Sequence, residues 1–312
     1  MKKKKILKIS IISFIMMVFI ALGFVGNYFY NLALNPYTSK EAIFGTEEEA
    51  EATSGQLKQE DKDSLLEKSN YSDEYIISVD GLNLHSYKII NKNKTDKWAI
   101  VVHGYTSEGV RMSSYAKRYY DMGYNVLIPD LRSHGISEGD YIGMGWDDRL
   151  DIIEWAKVLI KENSNSEIVL HGISMGAATV MMVSGEELPN NIKSIVADCG
   201  YTSAWNQFAY QLDDLFGLPA FPFLHSAAVM AKIRAGFNIS DVSAIEQVKK
   251  STTPILFIHG DEDKFVPYFM MDELYDTASC RKEKLTIKGA GHAKASQVNP
   301  ETYWNTIEDF IM

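Results

Sequence analysis

A serine between two glycines is the side chain of this sequence best suited to covalent chemistry. Ser174 stands in a G-x-S-x-G pattern, from Gly172 to Gly176, which follows a predicted strand and precedes a predicted helix. A serine hydroxyl is a weak nucleophile, so it needs a sharp turn that presents it to a base, and glycines permit that turn. The pattern predicts a nucleophile at Ser174. A serine that only caps the helix is the simpler alternative.

A base and an acid that suit this serine follow it in the chain. His292 lies in GAGHA, just beyond the last predicted strand, and Asp263 lies in HGDEDKFVP, after the preceding strand. A buried carboxylate there would accept the imidazole N–H, fix its tautomer and stabilise the imidazolium that forms during attack by Ser174. Asp261 is the alternative acid, and a solvated acidic loop is the alternative without catalysis.

The elements that must position these residues alternate along the chain. A hairpin is predicted where Asp80-Gly81 separates two strand-like runs. Six short apolar runs then have the character of buried parallel strands: Trp98–His103, Asn125–Pro129, Glu167–His171, Ile192–Ala197, Pro254–His259 and Lys284–Lys288. Helical periodicity marks Met112–Met122, Trp146–Glu162, Met175–Glu187, Tyr268–Cys280 and Pro300–Ile311. This alternation predicts an α/β fold, a mostly parallel twisted sheet with helices on both faces.

One stretch interrupts the alternation. Residues 201–250 are apolar and aromatic, and they follow a strand in the position of a cap or lid. The aromatic side chains of this stretch include Trp205, Phe208, Tyr210, Phe216, Phe221 and Phe223. They could cover an apolar acyl pocket, or they could simply pack the cap on the sheet, because aromatic side chains also dominate protein cores.

Residues 71–312 resemble the α/β-hydrolase superfamily of serine hydrolases, because their motifs occur in that family's order of serine, acid and histidine. The resemblance implies the α/β-hydrolase fold with a short helical cap. The register of the family's H-G-x-x-D-x-x-V-P motif selects Asp263 over its neighbours. A serine in the G-x-S-x-G turn implies acyl transfer through an acyl-enzyme. Such a reaction requires no cofactor and no metal ion.

The resemblance also assigns roles to the loops beside the serine. In this family the loop after an H-G pair, here His103-Gly104, contributes one backbone N–H to the oxyanion hole, and the residue after the nucleophile contributes another. These residues are Tyr105 and Met175. The Tyr105 hydroxyl is either a further donor or part of the pocket wall. His134 lies in an H-G-x-S loop whose usual role in the family is structural.

The N-terminus predicts a membrane anchor. Five lysines lie within residues 1–8, and an uncharged apolar stretch follows from Ile9 to Val25, with aromatic residues at 28–30. Residues 9–30 therefore approach the length of about 20 residues that crosses a bilayer as a helix. The lysines favour the cytoplasmic side, which predicts a single-pass cell-membrane protein with its catalytic domain outside. A cleaved signal peptide is the alternative, with a weak cleavage site at residues 21–23.

The rest of the chain divides at residue 71. Residues 31–70 are predicted to be a linker or stem, because residues 46–70 are acidic, polar and too poor in apolar side chains to build a core. Residues 71–312 are predicted to be the catalytic domain. The anchor, together with segments such as Gly143–Arg149, makes the chain most similar to single-pass cell-surface α/β hydrolases.

Charge and cysteine content exclude other classes. The net charge is −10, and without the five N-terminal lysines the 26 remaining basic residues face 41 acidic ones. Such a balance repels nucleic acid. Cys199 and Cys280 show no metal-ligand spacing and are predicted to be buried thiols, with a disulfide between them as an alternative.

The sequence favours a carboxylesterase or lipase-like enzyme that acts on a small acyl ester or a lipid-like substrate. A serine peptidase and a thioesterase share the fold and remain alternatives, because a fold does not fix a function. A surface-binding homologue without turnover is the alternative from another class. Retention of all three catalytic residue types argues against it.

Overall fold

The computed structural model describes residues 2–45 and 71–312. The second range contains one sheet of eight strands: β1 (Tyr71–Ile77), β2 (Asn83–Ile89), β3 (Lys97–Val102), β4 (Asn125–Pro129), β5 (Glu167–Ile173), β6 (Ile192–Asp198), β7 (Ile255–Gly260) and β8 (Lys282–Ile287). The spatial order is β1-β2-β4-β3-β5-β6-β7-β8. The predicted hairpin is β1 and β2, β2 pairs antiparallel with β4, and all later pairs are parallel.

The helices of the described residues are α1 (Lys2–Leu34), α2 (Glu41–Phe44), α3 (Ser113–Asp121), α4 (Asp148–Glu162), α5 (Met175–Val183), α6 (Ala204–Phe216), α7 (Ala220–Arg234), α8 (Ala244–Val248), α9 (Phe269–Thr277), α10 (Ala295–Val298) and α11 (Pro300–Ile311). Short 3-10 turns lie at Gly109–Met112 and Ile239–Asp241. Helix α5 ends at Val183, before the predicted Glu187. Just beyond this end, Gly185 packs so closely on Gln247 of α8 that a side chain would not fit between them.

Both faces of the sheet are covered, which explains the nearly continuous apolar runs in its central strands. All residues of β4 and β7 are buried. Trp155 of α4 and Met181 of α5 belong to the core on one face, and Tyr119 of α3 and Ile307 of α11 belong to the core on the other. Each fully buried large apolar side chain contributes about 1.5–3 kcal/mol relative to exposure. The predicted α/β-hydrolase architecture is confirmed.

Residues 201–250 form three helices, α6, α7 and α8, over the carboxyl end of the sheet. Ser203 begins α6, where its side chain accepts a hydrogen bond of 3.0 Å from the Asn206 N–H. Ser243 begins α8 in the same way, accepting from Glu246. These caps satisfy amide donors that a helix end leaves free, so they fix where each cap helix starts.

Helix α1 continues past the predicted span of residues 9–30 and ends at Leu34. Among the described residues it is the helix long and apolar enough to cross a membrane, with a mean hydropathy of 2.6 in its most apolar stretch. Residues 31–45, which the sequence assigns to the linker, lie against residues 71–312: the Ile142 amide donates to the Leu34 carbonyl at 2.8 Å. Residues 46–70, the acidic part of that predicted linker, lie outside the described residues.

Candidate active site

Ser174 occupies a strained turn between β5 and α5. Its φ is 55° and its ψ is −115°, a conformation that L-residues rarely adopt. The turn is tight because a Cβ on Gly172 would lie 2.1 Å from the Gly176 carbonyl oxygen, and a Cβ on Gly176 would lie 2.2 Å from that of Val102. The Ser174 side chain makes no capping hydrogen bond to α5, so the helix-cap alternative is wrong.

We expect Gly176→Ala to disrupt this turn. The new methyl group would meet backbone oxygens of β3, which cannot rotate away, so β3 and α5 must separate. We expect a loss of about 1–3 kcal/mol in the free energy of unfolding. Displacement of the Ser174 hydroxyl by about 1 Å would lower turnover about 100-fold.

Gly291→Ala is the matched control, since a Cβ there meets nothing within 4 Å. The measurements are thermal unfolding and ester hydrolysis. A Gly176→Ala protein as stable and active as the Gly291→Ala protein would contradict the tight packing of this turn.

Three side chains that are far apart in the sequence meet at the carboxyl edge of the sheet. The Ser174 Oγ lies 2.8 Å from Nε2 of His292, and Nδ1 of the same ring lies 2.7 Å from Oδ2 of Asp263. All three residues are buried. In the neutral tautomer that these distances favour, Nδ1–H donates to the carboxylate and Nε2 accepts from the serine hydroxyl.

Asp263 is held in its ionised form. Burial alone would raise the pKa of its carboxyl group, but the His292 and His259 rings outweigh burial and hold that pKa well below its usual value. Its Oδ1 accepts hydrogen bonds of 2.9 Å from the Phe265 and Val266 amides. Asp261, the alternative acid, instead accepts a 2.6 Å bond from the Gly289 amide and so braces the loop that carries His292.

The predicted oxyanion-hole residues lie beside the serine. Tyr105 and Met175 line the same cavity as Ser174. The Tyr105 hydroxyl donates a 2.7 Å hydrogen bond to the Ala33 carbonyl at the end of α1, so of its two predicted roles the pocket wall fits and the extra donor does not.

His134 braces the loop that holds Tyr105. Its Nδ1–H donates to the Arg132 carbonyl at 2.7 Å, and its Nε2 accepts from the Thr106 amide at 3.3 Å. Burial lowers the pKa of His134 to about 3, so the ring stays neutral and keeps one donor and one acceptor. This arrangement agrees with the predicted structural role.

An apolar cavity opens onto the serine. It lies between the cap helices α6 and α7, the end of α1 and the strand ends, and its volume is about 90 Å³. Its side chains include Phe208, Leu212, Leu224, Ile239 and Phe265, and among its described lining residues none is charged. Phe208 therefore fulfils both predicted roles, because it lines the cavity and also packs on the core.

Comparison with known proteins assigns the chain to a family. Residues 93–225 match the family described as serine aminopeptidase, S33. Uncharacterized protein YqkD of Bacillus subtilis is 30% identical over 237 residues, which cover 76% of this chain and 77% of that protein. This chain is a member of the α/β-hydrolase superfamily.

Two further proteins are similar to this α/β hydrolase. The structure of the Pyrococcus furiosus esterase Pf2001 matches with a TM-score of 0.65 at 25% identity, covering 81% of this chain and 93% of that one. Uncharacterized membrane protein YNL320W of Saccharomyces cerevisiae is 23% identical over 237 residues, covering 76% of this chain and 78% of that protein.

Two buried side chains near the candidate site of this α/β hydrolase were not predicted from the sequence. The Nε2 atom of His259 lies 3.1 Å from the Asp263 Oδ2 and 2.9 Å from the Val266 carbonyl, so His259 helps to hold the acid. Asp198 ends β6, and its Oδ2 accepts a 2.9 Å bond from the Tyr303 hydroxyl. Burial raises the pKa of Asp198 to about 6. A position at the carboxyl end of a predicted strand is the signal that could have marked both residues.

Cys199 is a further neighbour of the site. Its Sγ, a carboxylate oxygen of Asp263 and a ring nitrogen of His292 lie within 4.8 Å of one another, a spacing that could hold a metal ion. Burial raises the pKa of the Cys199 thiol, and only a thiolate binds metal well. Asp263 and His292 already share a hydrogen bond. Cys199 and Cys280 are both free thiols, so the alternative of a disulfide between them is wrong.

The backbone at this edge of the sheet is strained at several places. Six non-glycine residues of the described chain have positive φ, and five of them follow strand ends: Thr106, Ser133, Ser174, Cys199 and Ala293. Each such residue costs on the order of 1–3 kcal/mol and persists only where the surroundings enforce it. Strain concentrated at one edge of a sheet is typical of functional sites.

Proposed function

We propose that this protein is a membrane-anchored serine hydrolase that cleaves carboxylic esters through an acyl-enzyme. The observation that carries the proposal is the hydrogen-bonded series Ser174, His292 and Asp263 at the end of an apolar cavity. An apolar cavity suits the acyl chain of an ester, and the similarity to an esterase structure supports the same class of reaction.

The proposed reaction has two halves. The Ser174 Oγ attacks the ester carbonyl while its proton moves to Nε2 of His292, and the resulting oxyanion accepts hydrogen bonds from the Tyr105 and Met175 amides. The bond to the alcohol then breaks as Nε2 returns the proton to the leaving oxygen. Water attacks the acyl-enzyme with the same base, which releases the carboxylic acid and restores Ser174.

Ester cleavage fits the cavity better than aminopeptidase activity, although the matching family is described by the latter name. An aminopeptidase must hold the protonated amino terminus of its substrate, and a cation buried without a partner is costly. No acidic side chain lies among the described residues that line the cavity.

The proposed location is the outer face of the membrane. The length and hydropathy of α1 support an anchor, and the similarity to a yeast membrane protein agrees with it. The lysines at its start favour the cytoplasmic side, which would place the catalytic domain outside.

One labelling experiment tests both the nucleophile and the location. Protoplasts that express the full chain are treated with a membrane-permeant fluorophosphonate or with a charged, impermeant one, and the labelled peptide is identified by mass. We expect both probes to modify Ser174, because its hydroxyl lies beside a base and the site faces outward. We expect no label in Ser174→Ala and full label in Ser184→Ala, a buried serine at the other end of α5.

Each other outcome contradicts a separate part of the proposal. Equal labelling of the wild type and Ser174→Ala, or labelling of neither, would contradict a nucleophile at this position. Labelling by the permeant probe alone would contradict the outward orientation. Release of amino acids from peptides without hydrolysis of esters would favour the aminopeptidase alternative.

A further inference from the structure

The end of the anchor helix forms part of the cavity that contains the candidate nucleophile. Its lining includes a set of α1 side chains in about the last one and a half turns of the helix: Phe29, Tyr30, Leu32, Ala33 and Leu34. Tyr30, Leu32 and Leu34 are buried there, whereas residues 4–21 of the same helix are exposed. The cavity on the catalytic domain is therefore incomplete without α1.

Specific contacts fix α1 to the cap helix α7. A Cβ on Gly26 would lie 2.4 Å from the Ser226 carbonyl oxygen, so the two backbones approach as closely as glycine allows. The Arg234 guanidinium donates to the Asn27 and Asn31 side chains at 2.9 and 2.7 Å. These polar contacts define one orientation of α1 against the cap, which apolar packing alone would not do.

The carboxyl end of α1 is also tied to the loops of the site. The Lys40 ammonium donates to the Leu32 and Asn35 carbonyls at 2.7 and 2.8 Å. The Tyr105 hydroxyl donates to the Ala33 carbonyl, so the proposed oxyanion loop and the anchor share a hydrogen bond. Carbonyls that a helix end leaves free are satisfied in this way, and the wall of the cavity is held in place.

The length of α1 that makes no contact with the cap determines how far this cavity lies from the membrane. From Ile6 to Phe24 its large apolar side chains are exposed, apart from those that begin to face the cap. At about 1.5 Å per residue, the uncharged part of this stretch after Lys8 is about 24 Å long, somewhat less than the thickness of about 30 Å of a bilayer's hydrocarbon core, and the long Lys8 side chain can reach the headgroups from its edge. A bilayer around this part would end where the contacts of α1 with α7 begin, which would place the cavity at the membrane surface.

The cap carries an apolar face beside the anchor. Phe221, Val229 and Ile233 of α7 are 73%, 58% and 70% exposed, and α7 itself packs on α1. Leu215, which lines the cavity, is 39% exposed and stands at its rim. Large apolar side chains exposed next to a transmembrane helix fit the boundary between headgroups and acyl chains.

We propose that the substrate is an acyl ester resident in the bilayer, and that its acyl chain enters the cavity along α1, which forms one wall of the acyl site. This inference rests on the proposed function for the cleavage step, but the binding of the chain does not depend on it. The anchor helix then determines which chain lengths fit as well as where the enzyme is located.

The test introduces a larger side chain into the cavity wall that α1 forms. Ala33→Phe adds a ring to the lining, and Ala21→Phe makes the same change on the exposed part of the same helix. The full chain is reconstituted in vesicles of ether-linked phosphatidylcholine, which contain no acyl ester. Hydrolysis of p-nitrophenyl laurate is compared with that of p-nitrophenyl acetate, and binding of dansyl-undecanoic acid is measured separately in the Ser174→Ala background.

We expect Ala33→Phe to lower the laurate-to-acetate ratio at least about tenfold and to weaken dansyl-undecanoate binding by a similar factor, because a blocked pocket rejects added methylene groups. We expect Ala21→Phe to match the wild type in both measurements. Leu32→Ala enlarges the same wall and is expected to raise the laurate-to-acetate ratio. Unchanged ratios and unchanged binding in both wall variants would overturn the proposal.

A second experiment uses the apolar face of α7 to test whether the acyl chain enters the cavity from the bilayer or from water. The double variant Val229→Asp and Ile233→Asp is expected to lower laurate hydrolysis in vesicles about tenfold and to leave acetate hydrolysis unchanged, because charges resist entry into the interface. Unchanged laurate hydrolysis would mean that the cavity fills from water. If the wild type hydrolyses neither ester, the proposed function fails. Binding of dansyl-undecanoate by the Ser174→Ala proteins then still decides whether α1 forms the wall, so the two failures are distinguishable.

Discussion

Replacement of Ser174 by alanine is expected to lower kcat for p-nitrophenyl butyrate about 10⁴- to 10⁶-fold, the range found when a serine hydrolase loses its nucleophile. The hydroxyl that lies 2.8 Å from His292 is then absent, and water has no acyl-enzyme to attack. We expect KM to change little, because the cavity and the two oxyanion amides remain. The measurement is steady-state hydrolysis by the full chain in detergent.

Ser184→Ala is the matched control for this loss. Ser184 is buried at the end of α5, and its hydroxyl donates to the Met181 carbonyl at 2.7 Å, so its removal costs a hydrogen bond but no contact with the cavity. We expect its kcat to stay within about threefold of the wild type, as for changes away from a functional site. A Ser174→Ala protein with more than a tenth of wild-type turnover would rule out this serine as the nucleophile.

The second large effect is expected at Asp263. In Asp263→Asn the amide group no longer provides a carboxylate for the Nδ1–H of His292, so the ring adopts a tautomer that cannot accept the serine proton. We expect kcat to fall about 10⁴-fold with the fold retained, as the same change produces in a serine protease. Circular dichroism and ester hydrolysis measure the two properties.

Asp261→Asn separates the chosen acid from its alternative. The asparagine oxygen can still accept the hydrogen bond from the Gly289 amide, so the loop that carries His292 keeps its support. We expect turnover within about threefold of the wild type. A larger loss in Asp261→Asn than in Asp263→Asn would reverse the assignment of the acid.

The candidate site was predictable because its residues lie directly after strands. Buried parallel strands are recognisable from continuous apolar runs, and their carboxyl ends meet at one edge of the sheet. Ser174, Asp263 and His292 each follow such a run, so their proximity followed from the topology. The selection of Asp263 over Asp261 needed the motif register, since both are acids in the same loop and only the structure shows their different partners.

The contact between helix α1 and the cavity was not predictable from the sequence. Helix α1 is apolar on all sides, so no stripe of residues marks the face that packs on α7. Among its polar residues, Asn27 and Asn31 face the cap, but only the structure shows that their partner is Arg234, about 200 residues away in the sequence. A linker was therefore predicted where the chain in fact reaches the domain before residue 46.

The positive-φ residues at the carboxyl edge of the sheet set stability against turnover. A selection for heat resistance would favour glycine at Thr106, Ser133 or Cys199, since each stores backbone strain that a glycine relieves. The same substitutions would make the loops that position Ser174, His292 and the proposed oxyanion amides more flexible. Variants of this protein that survive heating are therefore expected to include many with lower turnover, because relaxing a strained site usually reduces activity.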